Sequence, residues 1–382
     1  MIQQLSILLI VIIGMAVVPF ISRRIRIPVS VLEILLGFVL FHTIIEDTPS
    51  DFFHILKEFG FIYLMFIAGM ELDIKKIIKE PLFKWYLIIP LLSLLTGPII
   101  FYLIGFPFYL GVSVSVFGAG ILLPLLKESG LIRTELGSLI FGVTIMGEVI
   151  SIVLLTFLEV YHRTGLTVNF MLELLRLCLE IAAAAIVLKL VYIMAWWLPG
   201  NVEKVMESQD PVEEGIRLFI LTALTGGILA YYSGVEPILG SFIAGLIFSY
   251  VFKSKGKFEE KINALGFGFF IPFFFIGIGA DFNTNLLLSM ENIKMALILS
   301  FFIFVNNIFP IMFMRWLKLR FIEALAMVLL LSAPLTMIVV AGSVGSEVGF
   351  ISKETKGVLV VAAMFSSVFY PSLFRVISGR LK

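Results

Sequence analysis

Thirteen runs of apolar residues, each of a length that could cross a bilayer as a helix, follow one another through the 382 residues of this chain. A hydrocarbon core about 30 Å thick takes roughly 20 helical residues. The runs cover about 2–22, 27–45, 54–72, 82–105, 108–126, 134–161, 170–197, 213–233, 236–252, 262–280, 291–317, 322–345 and 355–378. Turn dipeptides divide them at Ile27-Pro28, Thr48-Pro49, Glu80-Pro81, Pro199-Gly200 and Asp210-Pro211. Lipid offers the backbone no hydrogen bonds, so a chain of this pattern is expected to be an all-α polytopic membrane protein of about 13 transmembrane helices. Composition agrees, with 60% hydrophobic and 14% charged residues, where a water-soluble domain carries about a quarter charged.

The positions of the few charges orient the bundle. Joints after odd-numbered runs hold nineteen lysines and arginines, and joints after even-numbered runs hold three: Arg163, Lys353 and Lys356. Basic residues stay on the cytoplasmic side, which predicts an external N-terminus and a cytoplasmic C-terminus for a multi-pass protein of the plasma (inner) membrane. Arg23, Arg24 and Arg26 follow the first run. A cleaved signal peptide has the reverse polarity, so this run is expected to be retained. A net charge of +1 gives no reason to expect nucleic acid as a partner. One cysteine, Cys178, excludes an intrachain disulfide and a cysteine-based metal site. His42, His54 and His162 fall at predicted helix ends and form no ligand cluster, and no His-Glu-x-x-His pair exists. No cofactor is expected. With no nucleophile–base pair at a workable spacing inside the membrane, enzyme chemistry is not expected either.

An internal repeat narrows the architecture. Gly60, Phe66, Gly69 and Asp73 of the third run match Gly268, Phe274, Gly277 and Asp281 of the tenth at an offset of 208, which also pairs Gly37 with Gly245. Seven runs separate the partners, and an odd number inverts one half relative to the other. Inverted-topology repeats are the architecture of secondary transporters, whose sites lie near the midplane where corresponding helices are broken. The fifth and twelfth runs both look interrupted, by Gly118, Gly120 and Pro124 in one and by Ser332-Ala333-Pro334 in the other.

The sixth run is organised around one acid. Between Leu136 and Phe157 the only charge is Glu148, with Arg133 and Arg163 each 15 residues away. That puts Glu148 about 20 Å from either flank, at a depth where an ionised group is costly and usually functional. Thr144 and Ser151, at i−4 and i+3, share its face. A carboxylate with two hydroxyls is a partial shell for a dehydrated monovalent cation, for which a proton competes. Ser332 and Thr336 at the twelfth-run break are candidate helpers. Asn306 and Asn307 of the eleventh run are placed either to line the site, to bond the broken backbone, or to join helices. Glu33 in the second run is a candidate for an entrance funnel. Glu180 and Lys189 read as a structural pair, and the cluster from Lys253 to Lys261 as an orientation signal.

Three segments together resemble a known family: Met65-Phe-Ile-Ala-Gly-Met-Glu-Leu-Asp73, Pro237-Ile-Leu-Gly-Ser-Phe-Ile-Ala-Gly-Leu-Ile247 and Pro272-Phe-Phe-Phe-Ile-Gly-Ile-Gly-Ala-Asp281. They are similar to the membrane domain of monovalent cation/proton antiporters, near the branch of Kef-type potassium efflux systems and bacterial sodium/proton antiporters. The resemblance runs through nearly the whole chain. It implies two crossed, unwound helices beside the ion-binding carboxylate, and a homodimer built from a dimerisation part, about 1–52 and 170–255, and a core part, about 53–161 and 256–382. Where that family has Asp-Asp, Asn-Asp or Gln-Asp, this chain has Gly147-Glu148; where many members have a lysine, it has Asn307. The cytoplasmic regulatory domain of Kef systems has no counterpart in these 382 residues. The resemblance thus implies exchange of Na⁺ or K⁺ for H⁺, electroneutral at a single carboxylate. A Kef-like gated potassium channel and a transport-inactive sensor subunit are the alternatives.

Overall fold

The computed structural model describes residues 2–25, 27–44, 51–70, 81–119, 121–122, 125–126, 129–131, 134–165, 171–172, 175, 179, 214–232, 237–251, 256–281 and 289–378. The helices are α1 (Ile2–Ile25), α2 (Val29–Val39), α3 (Asp51–Met70), α4 (Phe83–Leu103), α5 (Phe108–Ser115), α6 (Glu135–Thr164), α7 (Glu214–Tyr232) and α8 (Pro237–Val251). They continue with α9 (Gly256–Leu265), α10 (Ile271–Ala280), α11 (Met290–Asn306), α12 (Phe321–Leu331), α13 (Leu335–Val348) and α14 (Lys353–Ser378). Wide π-helical turns follow α2 at Leu40–Ile44 and join α9 to α10 at Gly266–Phe270. The described residues contain no strand. Nine helical segments among them are long and apolar enough to cross a membrane, and two shorter apolar helices accompany them. Large apolar side chains such as Leu5, Leu9, Ile13 and Phe20 of α1 stand exposed, as a lipid-facing surface requires. The seventh expected run, with Cys178, Glu180 and Lys189, lies almost wholly outside the described residues.

The chain divides into two units. The first comprises Met1–Ile74 and Arg163–Asp281, and the second Lys75–His162 and Phe282–Lys382. The boundaries therefore fall near 74, 162 and 281, where the family resemblance implied 52, 161–170 and 255. The physical reason is backbone contact. Helix α3 packs against α8 and α10, so the third and tenth runs stay with the second and ninth.

In the first unit the described helices remain whole and glycines bring them to backbone distance. A Cβ at Gly37 of α2 would strike the carbonyl oxygen of Ile276 in α10, and one at Gly245 of α8 would strike that of Phe66 in α3. Gly279 meets the Ile34 carbonyl and Gly69 meets that of Phe242 in the same way. These four contacts obey one rule: α2 maps on α8 by 208 residues, while α3 maps on α10 by 210. The offset of 208 expected for the third and tenth runs is thus corrected by two. Gly277 matches Gly69 in sequence, but Gly279 occupies the equivalent place in space. Gly60 marks the crossing of α3 and α10 by resting on the Phe270 carbonyl, its own partner under the corrected offset. On either side of it Phe59 meets Phe270 with ring centroids 4.5 Å apart, and Phe61 stacks on Phe274 at 4.6 Å. A further apolar cluster of Val11, Met15, Leu40, Phe41, Phe53, Phe273 and Ile276 ties α1 to this core.

In the second unit two helices break. Helix α5 stops at Ser115, and Val116 turns extended at φ −67°, ψ 154° ahead of Gly118. Helix α12 stops at Leu331. Proline disfavours helical geometry in the residue before it, and Pro334 (φ −85°, ψ 54°) closes a tight turn in which the Leu335 N–H donates to the Ala333 carbonyl at 3.0 Å. Helix α13 starts afresh from that turn and α14 packs along it. The interruptions expected at Gly118 and Pro334 are thus present. Gly120 and Pro124 lie outside the described residues.

Candidate ion-binding site

Helix α6 carries the central acid and is built to be continuous. The Thr134 hydroxyl caps its first turn by accepting from the Gly137 N–H at 3.0 Å, and Glu135 favours the positive end of the helix dipole. Glu148 is the fourteenth of its 30 residues and is buried with 6% of its surface exposed. One carboxylate oxygen, Oε2, accepts the Ala119 backbone N–H at 3.2 Å. The Phe117 N–H donates to Ser151 Oγ at 3.1 Å. The extended segment 116–119, released from helical pairing by the break, therefore gives the N–H of Ala119 to the acid and that of Phe117 to the hydroxyl one turn away. Gly147 permits this approach, since a Cβ there would lie 2.5 Å from the Phe117 ring. The Gly-Glu pair thus has a steric basis: the residue before the acid is the floor under Phe117.

The hydroxyls expected around Glu148 have suitable polarity. Ser151 Oγ donates to the Gly147 carbonyl at 2.7 Å and Thr144 Oγ1 to the Ile140 carbonyl at 2.8 Å. Their protons are committed to their own helix, which leaves acceptor lone pairs on the oxygens, as a cation requires; on Ser151 one of the two already accepts the Phe117 N–H. The second broken helix reaches the same place. Gly118 lies against Met337, in the first turn of α13 beside Thr336: a Cβ at Gly118 would be 3.4 Å from the Met337 backbone nitrogen. Ser332 Oγ is committed to the Val328 carbonyl at 2.7 Å, in the last turn of α12.

The two asparagines bond residues at the ends of the broken helices, Asn306 through a side chain and Asn307 through a backbone carbonyl. Asn306 Nδ2 donates to the Ser93 carbonyl and to Ser115 Oγ, both at 3.0 Å, and its Oδ1 accepts from Thr96 Oγ1 at 3.0 Å. Ser93 Oγ returns the bond to the Asn306 carbonyl at 3.1 Å. Asn307 Nδ2 donates to the Ile303 carbonyl at 2.9 Å and to that of Leu331 at 3.4 Å. Ser115 and Leu331 are the last residues of α5 and α12, so each amide holds the end of one half-helix. Those ends are 216 residues apart, and the same offset carries Ser151 to Ser367 and Glu148 to Met364. The site is therefore one-sided: the repeat supplies the scaffold twice and the acid once.

Glu33 is buried in α2 with 4% exposure and belongs to the first unit. Sequence reasoning passed over Glu159, eleven residues beyond Glu148 on α6 and fully buried. The signal was its spacing, since eleven residues are three turns and return to the same helix face.

Two broken helices meeting at a buried carboxylate define a polytopic protein with secondary-transporter architecture. The chain belongs to the sodium/hydrogen exchanger family, whose transmembrane region it matches over residues 7–378. YjbQ of Bacillus subtilis is 26% identical over 407 aligned residues, which cover 98% of this chain and 63% of YjbQ. This chain thus spans less than two thirds of that relative's length. The relative named Probable Na(+)/H(+) antiporter 3, from Methanocaldococcus jannaschii, is 28% identical over 330 residues, 83% of this chain and 81% of that protein. Among solved structures, the sodium proton antiporter MjNhaP1 of M. jannaschii at pH 8 aligns with a TM-score of 0.64 and 15% identity, covering 100% of this chain and 99% of that one. At that identity the likeness establishes the fold.

Proposed function

We propose that this protein exchanges a monovalent cation, Na⁺ or K⁺, for H⁺ by alternating access, and that Glu148 carries either ion in turn. The observation that carries the reading is the bond from Ala119 N–H to Glu148, which joins a helix-breaking segment to a mid-membrane acid. A cation seated there has the carboxylate, the hydroxyl oxygens of Thr144 and Ser151, and carbonyl oxygens of the crossed helices as ligands. A proton displaces it by neutralising the same oxygens. Either occupant brings the single carboxylate to zero charge, so one cation moves against one proton and the cycle is electroneutral. Asn306, Asn307, Ser332 and Thr336 serve the site by fixing the two half-helices. Glu33 stands as an entrance group in the first unit.

The reading extends to a homodimer in the plasma membrane, with the N-terminus outside and the C-terminus cytoplasmic, as the nineteen-to-three distribution of basic residues supports. The first unit serves as the dimerisation part and the second as the ion-carrying part. Reconstituted protein should collapse an imposed pH gradient when Na⁺ or K⁺ is added, with no dependence on membrane potential, and Glu148→Gln should not. Exchange surviving in Glu148→Gln would rule the mechanism out. Unitary picoampere currents without proton movement would replace it with a channel.

A further inference from the structure

Glu159 is the buried acid that the exchange cycle at Glu148 leaves unused. It lies on the innermost stripe of α6: Thr144, Glu148, Ser151, Leu155 and Glu159 are all buried, with Glu159 at 0% exposure. The opposite face turns outward, with Val153 55%, Phe157 41% and Tyr161 42% exposed. Eleven residues at about 100° each bring Glu159 back to within roughly 20° of Glu148, about 16 Å further along the axis. An acid buried in a membrane-spanning helix carries a cost that an apolar side chain would avoid, which marks it for a role.

Two contacts fix what that face looks at. Near Glu148, segment 116–119 lies between α6 and Met337 of α13. At the far end, the His162 ring meets Phe350, just past α13, with centroids 4.5 Å apart. Phe350 in turn stacks on Tyr109 at the start of α5 with an interplanar angle of 7°, and Tyr109 Oη donates to the Ala341 carbonyl at 2.8 Å. The start of α13 thus lies towards Glu148 and the residue just past its end towards His162, so α6 and α13 run in the same direction, and along α6 Glu159 stands between the site and a lid of three rings. Among the described residues, the charged groups on the elements that reach this end include Glu347 of α13, Lys353, Glu354 and Lys356 of α14, Glu291 and Lys294 of α11, whose Asn292 donates to Glu354, and Arg163, next along the chain from His162. Lys356 lies over Gly342, its Cγ 3.6 Å from where a Cβ would be.

We propose that Glu159 is the proton-exchanging carboxyl of the outward half of the path, passing protons between external solution at His162 and Glu148. This rests on the exchange reading above. After Glu148 releases its cation outward, Glu159 takes up an external proton and hands it inward through water, returning to its starting state. Glu148 ends the step protonated.

The test compares right-side-out and everted membrane vesicles containing the full chain, with pH varied on one side at a time and Na⁺ or K⁺ as the driving ion. Glu159→Gln should slow exchange roughly tenfold or more when external protons are limiting, the scale of losing a proton-transfer group. It should flatten the dependence on external pH and leave the dependence on cytoplasmic pH unchanged. An equal loss on both sides, or none, overturns the proposal and leaves the role of Glu148 intact. Wild-type exchange by Glu148→Gln in the same vesicles overturns the exchange reading itself. Should Glu159→Gln fail to fold, Glu159→Asp carries the test: slowing confined to the external side supports the relay, and uniform loss or wild-type behaviour overturns it.

Discussion

The two units solve the same packing problem in opposite ways. In the first, the described helices stay intact and their main crossings set a glycine against a carbonyl: Gly37 on Ile276, Gly245 on Phe66, Gly60 on Phe270. Backbone groups of these described helices remain paired within the helix. In the second, two helices are cut open and loose backbone groups are handed to side chains: Ala119 N–H to Glu148, Phe117 N–H to Ser151 and the Leu331 carbonyl to Asn307, while Asn306 holds the end of α5 through the Ser115 hydroxyl. Chemistry appears where the backbone has been freed, because only there do N–H and C=O groups become available inside a membrane. A whole helix is a wall and a broken one is a ligand.

This contrast can be broken by substitution, starting with the largest expected effect. Asn306→Ala should destabilise the protein by about 3 kcal/mol, since groups left without partners in the interior cost about 1–3 kcal/mol each. It should also abolish exchange, because the end of α5 loses its anchor. A thermal melt read beside proteoliposome exchange checks both, and an active variant would show that the half-helix end holds itself. Next come Gly37→Ala and Gly245→Ala, each expected to cost about 1–3 kcal/mol as the helices are forced apart. Equal losses for the two would support the 208/210 relation; clearly unequal losses would contradict it. The exchange that survives in them should keep the wild-type KM for the cation.

Ser151→Ala should cost about 1 kcal/mol, the net worth of a hydrogen bond, and raise the cation KM severalfold while leaving the first unit untouched. An unchanged KM would remove Ser151 from the site. The smallest effect belongs to Lys57→Met. Lys57 Nζ and Asp281 Oδ2 lie 2.6 Å apart, joining α3 to the end of α10, but their side chains are 12% and 30% exposed. Solvent-screened pairs of this kind contribute about 0–1 kcal/mol. A loss well above that would make the ion pair, rather than the glycine crossings, the clamp of the first unit.

The bundle was legible in the sequence because each determinant is local: apolar length, basic joints, and glycine or proline inside a run. Glu148 was legible because a lone acid deep in a long apolar helix is too costly to stand there without a role, and Ser332-Ala333-Pro334 because proline disfavours continuation of the helix. What escaped depends on which residues touch. Gly277 and Gly279 lie two apart, and sequence matching chose the first where helix crossing uses the second. The packing of the third run on the ninth escaped because it is encoded only in the mutual fit of glycines and carbonyls. Asn306 and Asn307 read equally well as ion ligands, tethers or joints, and only their hydrogen bonds show them holding helix ends. Glu159 was masked by its neighbours, since His162 and Arg163 make that end of the helix look interfacial although the acid is fully buried.

The central claim is that one carboxylate holds either one proton or one cation. It is tested most directly by counting protons released when Na⁺ or K⁺ binds the purified protein, using calorimetry in buffers of different ionisation enthalpy. The account predicts one proton released per cation bound at a pH where the empty site is protonated, and neither binding nor release in Glu148→Gln. Cation binding without proton release, or binding that persists in Glu148→Gln, would contradict it.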